Sequence, residues 1–151
     1  MKRKADKIVI GALECCDLPQ LGLLNVQMRV DSGAATSSLH VDNLEEFLHE
    51  GKRWVRFEIR PDVHTVDRVV TASARLSGKK VVKSSSADVE TRAVIRTTIC
   101  LAGKQWKIKL TLTDRSSMSN VMLLGREAMK GRVLIDPGQE FLLSTPNPAQ
   151  S

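Results

Sequence analysis

Among the reactive side chains, Asp31 is the best placed for chemistry. It heads Asp31-Ser32-Gly33-Ala34-Ala35-Thr36-Ser37-Ser38, a run of small residues between two strand-like pieces. Gly33 frees the backbone for a tight turn. Ala34 and Ala35 keep the turn slim enough for another chain, or a second copy, to approach closely. A carboxylate here either caps local N–H groups or serves as a general acid or base, and the turn alone favours the cap. The thiols and imidazoles are less well arranged. Cys15, Cys16 and Cys100 form no Cys-x-x-Cys pair and have no patterned His beside them, so they read as core thiols. His40, His49 and His64 are widely spaced and no His-Glu-x-x-His occurs. Asp31, His40 and a Cys could form a site only through the fold, so no metal is expected. No Gly-x-x-x-x-Gly-Lys-Ser/Thr phosphate loop is present, and no cofactor is expected.

The elements that must hold Asp31 are mostly strands. In residues 24–30, Leu24, Val26, Met28 and Val30 alternate with polar residues, predicting a half-buried strand that delivers Asp31 at its end. Further strands are predicted at 7–13 and at 54–60, the latter stopped by Pro61. Residues 43–49 suggest a helical turn, with Leu44, Phe47 and Leu48 on one side. Residues 68–76 and 81–83 suggest a hairpin around Ser77-Gly78-Lys79-Lys80. The clearest hairpin joins 92–101 to 105–113. Val121 to Leu124 reads as a buried strand ending at Gly125, and 126–130 as a helical turn. Strands at 133–135 and 140–143 flank the turn Asp136-Pro137-Gly138. Six to eight strands with one or two short helices predict an all-β fold, a barrel or a sandwich.

The chain of 151 residues suits one domain over 8–143, with a disordered basic lead (1–7) and a flexible tail (144–151). A formal charge of +6 favours acidic partners. Two Trp, three Phe and no Tyr leave little for a base-stacking platform, so nucleic acid is not an expected partner. No stretch is apolar enough to span a membrane. Three unpatterned Cys fit a reducing cytoplasm.

Several pieces in order carry a resemblance. Val30-Asp31-Ser32-Gly33-Ala34 is followed by Glu90-x-Arg92, Leu112-Thr113-Asp114-Arg115, Met122-Leu123-Leu124-Gly125-Arg126 and Asp136-Pro137. A strand ending in Asp-Ser-Gly-Ala, with a later apolar-apolar-Gly, resembles the retropepsin-like aspartic proteases. The ordered set is similar to the bacterial family named for ATP-dependent zinc proteases and found beside ribosomal-protein glutamate ligases. The resemblance covers residues 8–143 and implies a closed, retropepsin-like barrel. It also implies catalysis by two carboxylates sharing one proton, the charged one a base on water and the neutral one hydrogen-bonded to the scissile carbonyl. The chain has one Asp-Ser-Gly, so the reading requires a homodimer that brings Asp31 to its copy. Ser32 would hold the loop through its hydroxyl, and Gly33 would offer its N–H to the carboxylate. Ala34, Arg92, Arg115 and Arg126 become candidate substrate-binding residues, the arginines reading acidic side chains of a peptide or protein substrate. The arginines could instead pair internally, Arg115 with Asp136 for example. The spacing from Gly33 to Gly125 exceeds the retroviral pattern, so extra strands must lie between, with residues 77–80 one candidate flap tip. Two alternatives stand beside this reading: a zinc-dependent peptidase, and a non-catalytic β-barrel module that binds an acidic partner.

Overall fold

The strongest alternation in the sequence makes the longest strand pair. In the computed structural model, which describes residues 7–61, 68–83, 89–114 and 120–145, β8 (Val89–Leu101) runs antiparallel to β9 (Lys104–Asp114). Ala93, Ile95, Ile99 and Leu101 face inward with Trp106, Ile108, Leu110 and Leu112, as a two-residue side-chain period requires. Each buried Ile or Leu contributes about 1.5–3 kcal/mol. Ala102 (φ 52°) and Gly103 (φ 77°) are both left-handed, the geometry of a two-residue hairpin turn matched to strand twist.

Around this hairpin a ring closes. The strand order is β10 (Met122–Leu124), β3 (Leu23–Val30), β2 (Leu13–Leu18), β8, β9 and β4 (Ser37–His49), and β4 pairs back onto β10. β5 (Lys52–Ile59) and β6 (Val70–Arg75) continue outward from β4, while β7 (Gly78–Lys83) lies along the first half of β8. β1 (Ile8–Ile10) and β11 (Val133–Ile135) form a separate parallel pair. The core fills the ring, with Met28, Leu39, Phe57, Ile95, Leu110, Met122 and Leu124 fully buried. The only α-helix among the described residues is α1 (Arg126–Met129). The expected all-β, retropepsin-like barrel is thus the fold observed, with eleven strands among the described residues rather than six to eight.

Four local expectations are corrected. Residues 43–49 are strand, not helical turn: Asn43 (φ 54°) forms a bulge between Asp42 and Glu45. The extra residue shifts the alternation, which leaves Leu44, Phe47 and Leu48 at a spacing that imitates a helix face. Leu24 does not share a face with Val26. A register shift beside Asn25, whose N–H donates to Asp17 Oδ1 at 2.8 Å, buries Leu23 and leaves Leu24 60% exposed. Residues 68–76 and 81–83 do not pair with each other, because β6 takes the free edge of β5 and β7 takes that of β8. Residues 140–143 are not a strand. The N–H of Phe141 donates to the Leu13 carbonyl, and those of Leu142 and Leu143 go to the carboxylate of Glu14.

Glu14 is fully buried in this C-terminal strap. It accepts from the N–H of Gly11 (2.8 Å), Leu142 (2.8 Å) and Leu143 (3.3 Å) and from the hydroxyl of Ser144 (2.6 Å). A buried carboxylate demands such satisfaction. The strap also presses close to Gly11, where a Cβ would lie 2.5 Å from the Gln139 carbonyl oxygen.

Candidate active site

β3 carries Asp31 to the end of its strand as the sequence predicts. β10 runs parallel to β3 (Leu124 opposite Val30) and antiparallel to β4 (Leu123 opposite Ser38). The short apolar strand therefore lies between the strand entering the Asp31 turn and the strand leaving it. The N–H of Asp31 donates to the Leu124 carbonyl at 2.9 Å.

The turn is tied at almost every residue. The Gly33 N–H donates to Asp31 Oδ1 at 2.9 Å, which holds the half-buried carboxylate over its own turn. The Ala34 N–H reaches the Asp31 carbonyl at 3.3 Å. From the far segment, the N–H groups of Arg126 and Glu127 donate to the carbonyls of Ala34 (2.7 Å) and Ala35 (2.9 Å). These are donors that a helix start leaves open. The Arg126 guanidinium donates to the Ser32 carbonyl at 2.8 Å. The Gly125 N–H donates to the buried Ser37 hydroxyl at 2.9 Å. Gly125 leaves no room for a side chain, since a Cβ there would lie 2.6 Å from the Thr36 carbonyl carbon and 2.9 Å from the Ser37 nitrogen. Lys80, on β7, donates to the Thr36 hydroxyl. Lys79 beside it lies 2.8 Å from Glu46 and, through that hydrogen bond, holds the Glu46 carboxyl below its usual range.

The predicted site residues divide. Asp31, Ser32, Gly33, Ala34 and Arg126 come together in one turn and its clamp. Gly33 offers its N–H to the carboxylate as anticipated, whereas the contact seen at Ser32 runs through its carbonyl. Arg92 lies on β8 opposite Lys80, with its Nε 3.3 Å from Glu90, so it pairs internally. Arg115 and His64 lie outside the described residues. His40 shares a hydrogen bond with the Thr113 hydroxyl at 3.0 Å. Among the described residues, no three His, Cys, Asp or Glu side chains group as metal ligands. Ser37 and Lys80 are not among the predicted site residues, although Lys80 falls in the candidate flap tip 77–80, which the structure draws from Gly78 onward into β7. Ser37 had a signal, as a small polar residue opening the strand after the turn, while the position of Lys80 over Thr36 becomes visible only through the pairing of β7 with β8.

Comparison with known proteins agrees with this geometry. Residues 9–146 match the family model described as RimB-like, retropepsin-like aspartic endopeptidase RimB. The chain belongs to the RimB-like family. Within that family's matched span lie the Asp31 turn, β10 and the strap on Glu14. The chain is also 42% identical over 142 residues to a protein of Shewanella halifaxensis named probable alpha-L-glutamate ligase, covering 94% of this chain and 31% of that one. A protein of the same name from Parasynechococcus marenigrum is 47% identical over 131 residues, 87% of this chain and 28% of its own length. The chain therefore spans about a third of these curated relatives. Among solved structures, the crystal structure of Lpg0085 from Legionella pneumophila, a protein of unknown function, matches with a TM-score of 0.74. It is 29% identical, with 89% of this chain and 97% of that chain covered. No helix among the described residues is long and apolar enough to cross a membrane.

Proposed function

We propose that the chain is an aspartic peptidase whose catalytic dyad is Asp31 together with Asp31 of a second copy. The supporting observation is the Asp31 turn itself. Its carboxylate is oriented by the Gly33 N–H, and its backbone is locked by Leu124, Gly125 and Arg126. Positioning of this kind is what acid–base chemistry needs. The two carboxylates hold one proton between them. The charged one takes a proton from water as the water oxygen bonds to the scissile carbonyl carbon. The neutral one gives its proton to the carbonyl oxygen. As the tetrahedral intermediate collapses, the C–N bond breaks and a proton passes to the leaving nitrogen, so one water is consumed and an acid and an amine are released.

The substrate we assign is a protein or peptide rich in glutamate. The +6 charge favours an acidic partner. The naming of relatives as glutamate ligases also supports it, since a hydrolase acting on the linkage a ligase makes is chemically coherent. Three cysteines outside any disulfide, Cys15, Cys16 and Cys100, support a reducing, cytoplasmic setting. The test is hydrolysis of an oligoglutamate peptide, read by release of new amino groups, with sedimentation on the same sample. Hydrolysis inhibited by a pepstatin-type compound, with a dimer at active concentrations, is the expected result. Hydrolysis lost to chelators and indifferent to pepstatin would assign the activity to a metallopeptidase instead.

A further inference from the structure

Beside the Asp31 turn lie two adjoining hollows of about 410 and 430 Å³. They share Arg96, Lys109 and Glu127, and they border the turn at Ser37 and Thr36 respectively. One passes under Lys80; the other runs along Lys107 to Lys130 and Arg132 over the flank of Trp106. Among the described residues, Glu127 is the only acid lining either hollow.

The charge arrangement is costly to the fold. Arg96 stands directly opposite Lys109 in the β8–β9 ladder, and Lys107 follows two residues from Lys109 on the same outer face. Like charges directly opposed on a sheet destabilise it. Among the described residues, none of Arg96, Lys107, Lys109 or Lys130 forms an ion pair with an acid. Two of the three arginines that sequence motifs marked for substrate, Arg92 and Arg126, are by contrast engaged with Glu90 and the Ser32 carbonyl. Arg132 is also placed, its guanidinium 5.4 Å over the Trp106 ring, whose Nε1 donates to the Ala128 carbonyl at 3.0 Å. The groove thus concentrates unneutralised cations on a rigid sheet and leads to the catalytic turn.

We infer that Arg96, Lys107, Lys109 and Lys130 form the specificity site of this peptidase, gripping a run of carboxylates in an extended acidic segment while the bond to be cut lies at Asp31. The inference rests on the peptidase reading for its direction, since the groove abuts Thr36 and Ser37. Glu127 sits where the two hollows meet and opposes an acidic side chain at that one point.

Binding separates this claim from catalysis. The Asp31→Asn protein is titrated with a fluorescent oligoglutamate peptide, alone and with Arg96→Gln/Lys107→Gln/Lys109→Gln added. All three side chains point outward and the change relieves the opposition of Arg96 to Lys109, so a melting temperature at or above the starting value is expected. The triple change should weaken binding by about tenfold, as the loss of several exposed charge pairs implies, and added salt should narrow the difference. Glu127→Gln should tighten binding. In protein active on the same peptide, the triple change should raise KM and leave kcat near its starting value. If affinity and KM are indifferent to the triple change, the groove assignment is overturned even where hydrolysis is robust. If an oligouridylate of equal length binds as tightly and is lost equally, the groove is a nucleic-acid surface and the assignment also fails. If binding behaves as expected but no variant or wild-type protein hydrolyses the peptide, the groove stands and the peptidase reading falls.

Discussion

The N–H of Asp31 donates to the carbonyl of Leu124 at 2.9 Å, so the proposed catalytic acid is anchored by a strand that arrives from the far end of the domain. Leu124 is followed by Gly125 and Arg126, which hold Ser37 and Ser32. The acid and its clamp are therefore one structural unit built from two distant segments.

Gly125 is the tightest point of that unit. Gly125→Ala puts a methyl 2.6 Å from the Thr36 carbonyl carbon, and the neighbour is backbone, which cannot swing aside. Overpacking of this kind costs about 1–3 kcal/mol. A urea melt should show that loss, with peptide hydrolysis abolished in the fraction that stays folded. Unchanged stability and activity would mean that the turn is not clamped here.

Arg126 acts on the turn without bearing on the core. Its guanidinium holds an exposed carbonyl, that of Ser32, and water can replace it there. Arg126→Met should cost about 1 kcal/mol or less in stability yet reduce kcat, because the turn loses a fixed point. A pH–rate profile checks the positioning role, since a looser dyad alters the apparent pKa values of the pair. A reduced kcat with an unaltered profile would argue against that role.

Glu14 joins the start of β2 to the C-terminal strap. Glu14→Gln replaces one carboxylate oxygen by an NH₂ that faces N–H and O–H donors. Leaving buried donors unsatisfied costs about 1–3 kcal/mol. Chemical denaturation should show this loss, and hydrogen exchange should speed up at Leu142 and Leu143. Exchange at those amides equal to wild type would show that the strap is held by other contacts.

The thiols should divide by burial. Cys15 and Cys16 are buried, and burial pushes the Cys16 thiol well above its ordinary range, whereas Cys100 is partly exposed. A disulfide-exchange reagent should titrate one thiol rapidly in the native protein and three in denaturant. Rapid reaction of all three in the native protein would contradict the packing of β2.

Much of this was readable because strands announce themselves by alternation. Arg96, Lys107 and Lys109 stand outward exactly because Ile95, Ile108 and Leu110 turn inward, and β3 could be followed to Asp31 in the same way. Where a bulge intervenes, at Asn25 or Asn43, the period slips by one and the pattern misleads. The two-residue turn Glu50-Gly51, both residues left-handed (φ 53° and 76°), lacks the Asn-Gly or Asp-Gly that would have marked it. Non-local pairings were the other gap. No local pattern says that β7 chooses β8 over β6, and with it goes the position of Lys80 over Thr36. The motif arginines drew attention from sequence, while the groove cations became apparent only when β8, β9 and α1 were brought together.

The central claim is that catalysis needs two copies of Asp31. Wild-type protein and Asp31→Asn protein are unfolded together, refolded at a fixed total concentration in varied proportion, and assayed for hydrolysis of the oligoglutamate peptide. Only dimers with two wild-type copies should be active, so the rate should fall as the square of the wild-type fraction and vanish with Asp31→Asn alone. A rate that falls in direct proportion, or one that Asp31→Asn leaves unchanged, would contradict the dyad.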